Sequence, residues 1–270
     1  MPGWTKEQLE NLKKGNVGAF ADFETLIAPH EEEKPSKIEE VPLTQEEMSK
    51  LTKGIVYYTD NRIDPELAKK VQASLIRSGL PIVSVSLKPM DFGENIVLDK
   101  ERSYLTMFEQ TLAGIERSKT DIIFLCEHDV IYSNEHFQFT PTNADQFFYN
   151  MNNWQVRQSD GHAVYWIAKK VSQCCGYREL MLRHYTERVR KVKETGFSRR
   201  MGFEPGTHRR PERVDDTTSL EFRTVIPNLD VRHRYNLTAS RWSPDQFRNP
   251  CKDWTESHVN KLPGWEEVVL

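Results

Sequence analysis

Four apolar residues, Ile122 to Leu125, run through Cys126 straight into Glu127, His128 and Asp129 with no turn residue between. An unbroken apolar run with β-branched members is the mark of a strand buried on both faces. Two carboxylates and an imidazole therefore stand at the carboxyl end of a buried strand, the edge at which open α/β sheets bind ligands. Carboxylate and imidazole are good ligands for a divalent cation. In an extended chain residues i and i+2 point the same way, so Glu127 and Asp129 are expected to face one Mg²⁺ or Mn²⁺ ion. An ion held there neutralises a diphosphate leaving group.

Three further clusters carry chemistry. His233 and Asn236 lie in the stretch VRHRYNLTASRW, among Arg232, Arg234 and Arg241 and just past an apolar strand. A neutral imidazole at 233 completes a metal site, and arginines beside it bind phosphates bidentately. The stretch from Arg199 to Arg213, RRMGFEPGTHRRPER, is rich in arginine, glycine and proline, the composition of a loop that closes over an anionic substrate. Glu204, flanked by glycine and proline in that loop, is the first candidate for a carboxylate base, with Asp216 and Asp215 in reserve. Thr59, Asp60, Asn61 and Arg62 follow the first strand, where Asp60 is set to accept a hydrogen bond from a base or ribose; Arg102 and Ser103 are further donor contacts. Neither GxGxxG nor GxxxxGK[ST] occurs, so a dinucleotide fold and a P-loop are not indicated.

These residues need a scaffold, and the hydrophobic pattern supplies one. Ile55 to Thr59 reads as a strand. Asp64-Pro65 opens a helix with Leu67, Val71, Leu75 and Ile76 on its inner face, ended by Gly79. Ile82 to Leu87 is a second strand, Lys88 to Lys100 a loop, and Ser103 to Arg117 a helix leading into the central strand. This alternation predicts a mainly parallel sheet with helices on both faces. Beyond Asp129 come an aromatic stretch without clean periodicity, a strand at Ala163 to Ala168, a long basic helix at Arg178 to Glu194, and a strand at Leu220 to Ile226. Residues 1–53, with a capping box at Thr44 and Glu47, read as a helical extension and linker. Residues 54–242 form the catalytic-type domain, split into halves at 130, and residues 243–270 are a proline-broken tail packed on it.

The 270 residues carry a net charge of −3, which argues against an overall electrostatic grip on nucleic acid. No apolar run reaches the length of a membrane span, MPGWTKEQLENLKKG has no apolar core, and the four cysteines form no CxxC pair; reduced thiols in a cytoplasmic protein are expected.

A first strand ending in a small acidic turn, a later strand ending in a D-x-D-like triplet, and a downstream histidine resemble the nucleotide-diphospho-sugar transferases of the GT-A fold, over roughly residues 54–242. The pieces FLCEHDVIY, GFEPGTH and VRHRYNLTASRW are similar to microbial and phage-type glycosyltransferases. The resemblance implies a GT-A-like α/β fold and a metal-dependent enzyme of hexosyltransferase type. Its donor would be a nucleotide-sugar, a UDP-sugar first, and its cofactor Mn²⁺ or Mg²⁺. By it, Asp60 contacts the nucleoside, Glu127 lies near ribose and metal, Asp129 is the main metal ligand, and His233 completes the shell. Thr59, Asn61, Arg62, Arg102, His128, Asn236 and Arg241 then belong to the donor site. The triplet departs from the family in starting with Glu127 rather than aspartate. The acceptor implied is a glycan or a hydroxymethylated base in DNA, in the host cytoplasm if the source is viral. Trp154, Trp166, Tyr177 and Tyr185 beside the basic loop keep a second reading open, a non-catalytic module binding nucleic acid or glycan. The enzymatic reading requires that His233 and Asp129 meet.

Overall fold

The computed structural model describes residues 44–207, 213–235, 240–249 and 251–270. The expectations that fall on residues 1–43, on Asn236 and on the arginines at 209 and 210 lie outside them. In chain order come α1 (Gln45–Lys50), β1 (Lys53–Thr59), α2 (Pro65–Ile76), β2 (Ile82–Ser86), β3 (Glu94–Val97), α3 (Tyr104–Arg117) and β4 (Ile122–Glu127). Then follow β5 (Val130–Ile131), α4 (Asn134–Gln138), β6 (Gln146–Asn150), β7 (Asn153–Arg157), β8 (His162–Tyr165), β9 (Cys174–Tyr177) and α5 (Arg178–Thr195). The last strands are β10 (Thr218–Phe222), β11 (Asn228–Arg232) and β12 (Thr255–His258).

The main sheet has seven strands in the order β10-β6-β9-β4-β1-β2-β3. Its neighbours pair in parallel except where β9 meets β4 and β6. The architecture is thus the expected mixed α/β one, a mostly parallel sheet flanked by helices. Burial on both faces explains the unbroken apolar runs: Ile122 to Cys126 are each 0% exposed. Side chains alternate across the strand. Ile55, Tyr57, Phe124 and Cys126 pack with Leu67, Val71 and Leu75 of α2 on one face. Val56, Ile123 and Leu125 pack with α3 and α5 on the other. Asp64 caps α2 by accepting from the Glu66 and Leu67 amides, and Ser103 caps α3 through the Thr106 amide. Gly114 lets α3 close onto β1, since a Cβ there would lie 2.4 Å from Val56 Cγ1.

Three expectations change. The stretch 88–100 is not all loop: Glu94 to Val97 form edge strand β3, half-exposed and too short and polar to signal itself. The aromatic stretch contains α4 and β6, whose rings pack against one another rather than along one face, which hid their period. A second, five-stranded sheet, β12-β8-β7-β11-β5, was not expected. Its strands are four or five residues long, or two in β5. Through it residues 255–265 join the core, where Val259, Leu262 and Trp265 are buried. Among the described residues no helix is long and apolar enough to cross a membrane.

Candidate metal centre and cleft

Three chain segments meet at the carboxyl ends of the parallel strands. Strands β1 and β4 pair in parallel with Tyr58 opposite Glu127, so Thr59-Asp60 and His128-Asp129 emerge side by side. The third segment is fixed by the second sheet. Val130 and Ile131 pair antiparallel with Asp230 and Leu229, and the Val231 amide donates to the Asp129 carbonyl at 2.8 Å. That pairing holds the chain past β11 against the turn past β4 although about a hundred residues separate them, and it brings His233 to Asp129. One ligand atom from each of His128, Asp129 and His233 lies within 4.8 Å of the others.

Glu127, expected as a metal ligand, is not in this group. The strand ends at Glu127 and the chain turns at His128, so the i, i+2 alternation does not extend to Asp129. Its carboxylate instead accepts from the Tyr58 hydroxyl at 2.9 Å. Burial, and then the neighbouring Asp129 and Asp230 carboxylates, push its pKa up to about 8. His128, expected among the donor contacts, takes the position in the group. Its Nδ1 lies 2.8 Å from the Thr59 hydroxyl and 3.7 Å from Asp60 Oδ1. These contacts fix the orientation of the ring, as the partners of imidazole ligands generally do. His233 has its pKa lowered by burial, which favours the neutral ring a metal requires.

Two of the three, His128 and Asp129, line a cleft of about 260 Å³. Of the expected site residues Thr59, Asp60, Arg102, Glu127, His128, Asp129 and Glu204 line it. Asp60 pairs with Arg102 at 2.5 Å and accepts from the Arg62 amide. The Arg62 guanidinium stands 5.6 Å from the Tyr235 ring centre. Other candidates lie elsewhere. Asn61, at φ 58°, uses its side-chain oxygen to accept from the Leu87 and Lys88 amides, a bracing role. Arg241 packs over Phe247. Asp216 is exposed and pairs with Arg213, and Asp215 accepts from His184 Nδ1 at 2.5 Å.

Besides Arg232, which the sequence singled out, the cleft holds charges that it did not. Lys170 and Arg232 both pair with the buried Asp230, at 3.1 and 2.6 Å. Burial works to raise the Asp230 pKa, but these two cations hold it below the usual carboxylate range. Arg188 lies on the inner face of α5, 4% exposed, between the rings of Phe108 and Tyr185. A signal for it existed: Arg188 falls on the stripe of Tyr185, Val189 and Val192, where a charge is out of pattern. Glu204 is part-buried, and desolvation pushes its pKa up to about 7 against the opposing pull of Arg188, the Val171 amide and Lys170.

No family model matches the chain, and no curated protein matches it. Solved structures similar to it include three proteins of low sequence identity. A glycosyltransferase involved in glycosylation of the major capsid of PBCV-1 is 8% identical, with a TM-score of 0.40 over 66% of this chain and 92% of its own. HddC from Yersinia pseudotuberculosis is 9% identical, with a TM-score of 0.37 over 67% and 93%. A mutant Drosophila β-1,4-galactosyltransferase 7 in complex with manganese, UDP-Gal and xylobiose is 13% identical, with a TM-score of 0.36 over 74% and 81%.

Proposed function

We propose that the protein is a metal-dependent glycosyltransferase of GT-A type. It moves a sugar from a nucleoside diphosphate, first of all a uridine diphosphate, to an acceptor hydroxyl. The observation that carries this reading is the convergence of His128, Asp129 and His233 on one point at the carboxyl edge of the sheet. Two imidazoles and a carboxylate suit Mn²⁺ well and Mg²⁺, with its preference for oxygen, less well. Bound there, such an ion supplies positive charge to the phosphates of the leaving group.

The remaining work falls to the chain. Thr59 and Asp60 orient the His128 ring, and Asp60 with Arg102 forms the wall on which the nucleoside rests. Residues 54–130 thereby supply most of the donor side and 131–242 the acceptor side. Lys170 and Arg232, facing Glu127 and Asp129, add cationic charge where the diphosphate gathers negative charge, the kind of fixed electrostatics that lowers a barrier most. Glu204, in the same cleft, is the base. The acceptor oxygen bonds to the anomeric carbon as the bond from that carbon to the diphosphate oxygen breaks. The breaking bond's electron pair leaves with the nucleoside diphosphate, and the hydroxyl proton goes to the Glu204 carboxylate. A proton affinity near neutrality suits that role.

The test is hydrolysis of UDP-glucose and UDP-galactose by the full chain, with Mn²⁺, with excess chelator, and with Mn²⁺ restored. Turnover is expected to vanish on chelation and return on repletion. Turnover indifferent to the chelator would remove the ion from the mechanism. Saturable binding of nucleotide-sugar or glycan with no turnover would reduce the protein to a binding module.

A further inference from the structure

The cleft has an inner end lined by α3, α5 and the 202–204 segment. Its floor holds two opposite charges, Arg188 and Glu204. Arg188 donates one Nη2–H to the Phe203 carbonyl at 2.7 Å, while its buried Nε has no partner among the described residues. A guanidinium carries five N–H donors; the Phe203 carbonyl takes up one of them, and the side chain also lines the cleft. At the rim, Tyr104 and Phe197 stack at 4.1 Å between centroids and 5° between planes, and both remain more than a third exposed.

We propose that this inner end is the acceptor subsite and that it takes the terminal sugar of a glycan. Arg188 and Glu204 share one sugar hydroxyl between them, the rings at the rim lie along the apolar face of the sugar, and Arg188 sets acceptor specificity. The inference rests on the transferase reading. Its chemical basis is the pairing of a fixed donor with a fixed acceptor. An anion would be repelled by Glu204 and a cation by Arg188, whereas a hydroxyl accepts from one and donates to the other.

The rival acceptor, a base in duplex DNA, needs a cationic surface for phosphates. Helix α5 looks like one in sequence, yet its cations have partners within the fold. Arg178 holds Glu179 and the Ser118 carbonyl, and Arg183 holds Asp145. Arg190 holds Glu187 and Glu194, Lys191 the carbonyls of Arg213 and Val214, and Lys193 Glu109.

The experiment compares the wild type, Arg188→Gln and Arg188→Lys, as full chains with Mn²⁺. It measures UDP affinity, UDP-sugar hydrolysis, and transfer to nitrophenyl hexosides, to their single-deoxy analogues, and to a duplex carrying hydroxymethylcytosine. Lys191→Met is the control, because it removes another contact from α5 to a loop, at the Arg213 and Val214 carbonyls, without facing the cleft. Expected is transfer to a hexoside, with KM for it raised at least tenfold in Arg188→Gln and partly recovered in Arg188→Lys. UDP affinity should be unchanged, and Lys191→Met should leave KM alone. The deoxy analogue that lacks the shared hydroxyl should accept no sugar from the wild type, since that hydroxyl is the one Glu204 deprotonates, while the other analogues should be accepted. An unchanged hexoside KM, a loss of UDP affinity in proportion, or transfer to the duplex alone would overturn the subsite. Absence of UDP-sugar hydrolysis by the wild type would sink the transferase reading and the subsite with it, and the donor arm shows that outcome before any acceptor is added.

Discussion

The two edges of the main sheet both carry hollows lined with charge, and they are not alike. The hollow at the amino edge is the larger, about 720 Å³ against about 260 Å³ for the cleft at the carboxyl edge. Several of its charges have partners close by. Arg178 pairs with Glu179, Arg183 with Asp145, and Asp121 accepts from both the amide and the hydroxyl of Thr52. Those Thr52 hydrogen bonds hold the Asp121 carboxyl below its usual range. At the carboxyl edge the charges are desolvated and crowd one another: Asp129 is 8% exposed, Asp230 3% and Arg188 4%. Proton affinities there move towards neutrality, as with Glu127 and Glu204. Volume therefore says little about where chemistry happens, and the convergence of groups removed from water says more.

The contrast breaks most visibly at Asp129. Asp129→Ala removes the carboxylate common to the triad and should lower donor turnover a hundredfold or more, on the order of the several kcal/mol that a bound cation contributes. Excess Mn²⁺ should recover little, and the far-UV spectrum should match the wild type. Turnover within a few-fold of the wild type, measured at saturating ion, would return the carboxyl edge to the status of the amino edge.

Glu204→Gln should have the next largest effect. Transfer to an acceptor is expected to fall by about 10²- to 10⁴-fold, the usual range for loss of a general base, with UDP affinity kept. The same variant carries a stability signature. The folded-state pKa of Glu204, about 7, exceeds its ordinary value of 4.5, so the folded protein binds this proton more tightly than the unfolded chain. Stability from this group is then full below the ordinary value, declines as pH rises towards about 7, and stays flat beyond it. Partial exposure trims the size to roughly 1–3 kcal/mol. Glu204→Gln should consequently raise Tm at pH 8 and not at pH 4.5, by differential scanning calorimetry. A Tm equally changed at both would mean that the carboxyl is solvated after all.

How far the sequence could foresee this follows from range. The runs at 55–59 and 122–126 gave the central strands because burial on both faces leaves an unbroken apolar signature. Thr59, Asp60, His128 and Asp129 were visible because they directly follow those strands. That His128 rather than Glu127 lies beside Asp129 and His233 was not visible, since it turns on the single residue at which β4 ends and the chain turns. Lys170, Asp230 and Arg188 also escaped notice. Each is made significant by a partner far along the chain, and a lone charge beside a strand or on a helix reads as solvated until that partner is known. Strand β3 and the second sheet were missed for a related reason. Short strands with half-exposed faces gain their stability from pairing, not from their own composition.

The smallest effect tests the quiet side of the comparison. Arg183 and Asp145 form an ion pair whose side chains are 64% and 57% exposed. Water and salt screen such a pair, so Arg183→Ala should change stability by no more than about 0.5 kcal/mol and leave donor and acceptor kinetics as they are. Were the amino-edge hollow a phosphate-binding surface, the same substitution would weaken binding of a DNA duplex and flatten its salt dependence by about one counterion. A salt titration of duplex binding, on wild type and Arg183→Ala, separates the two cases: matching slopes are expected, because the arginine faces a carboxylate of its own chain and water rather than a ligand.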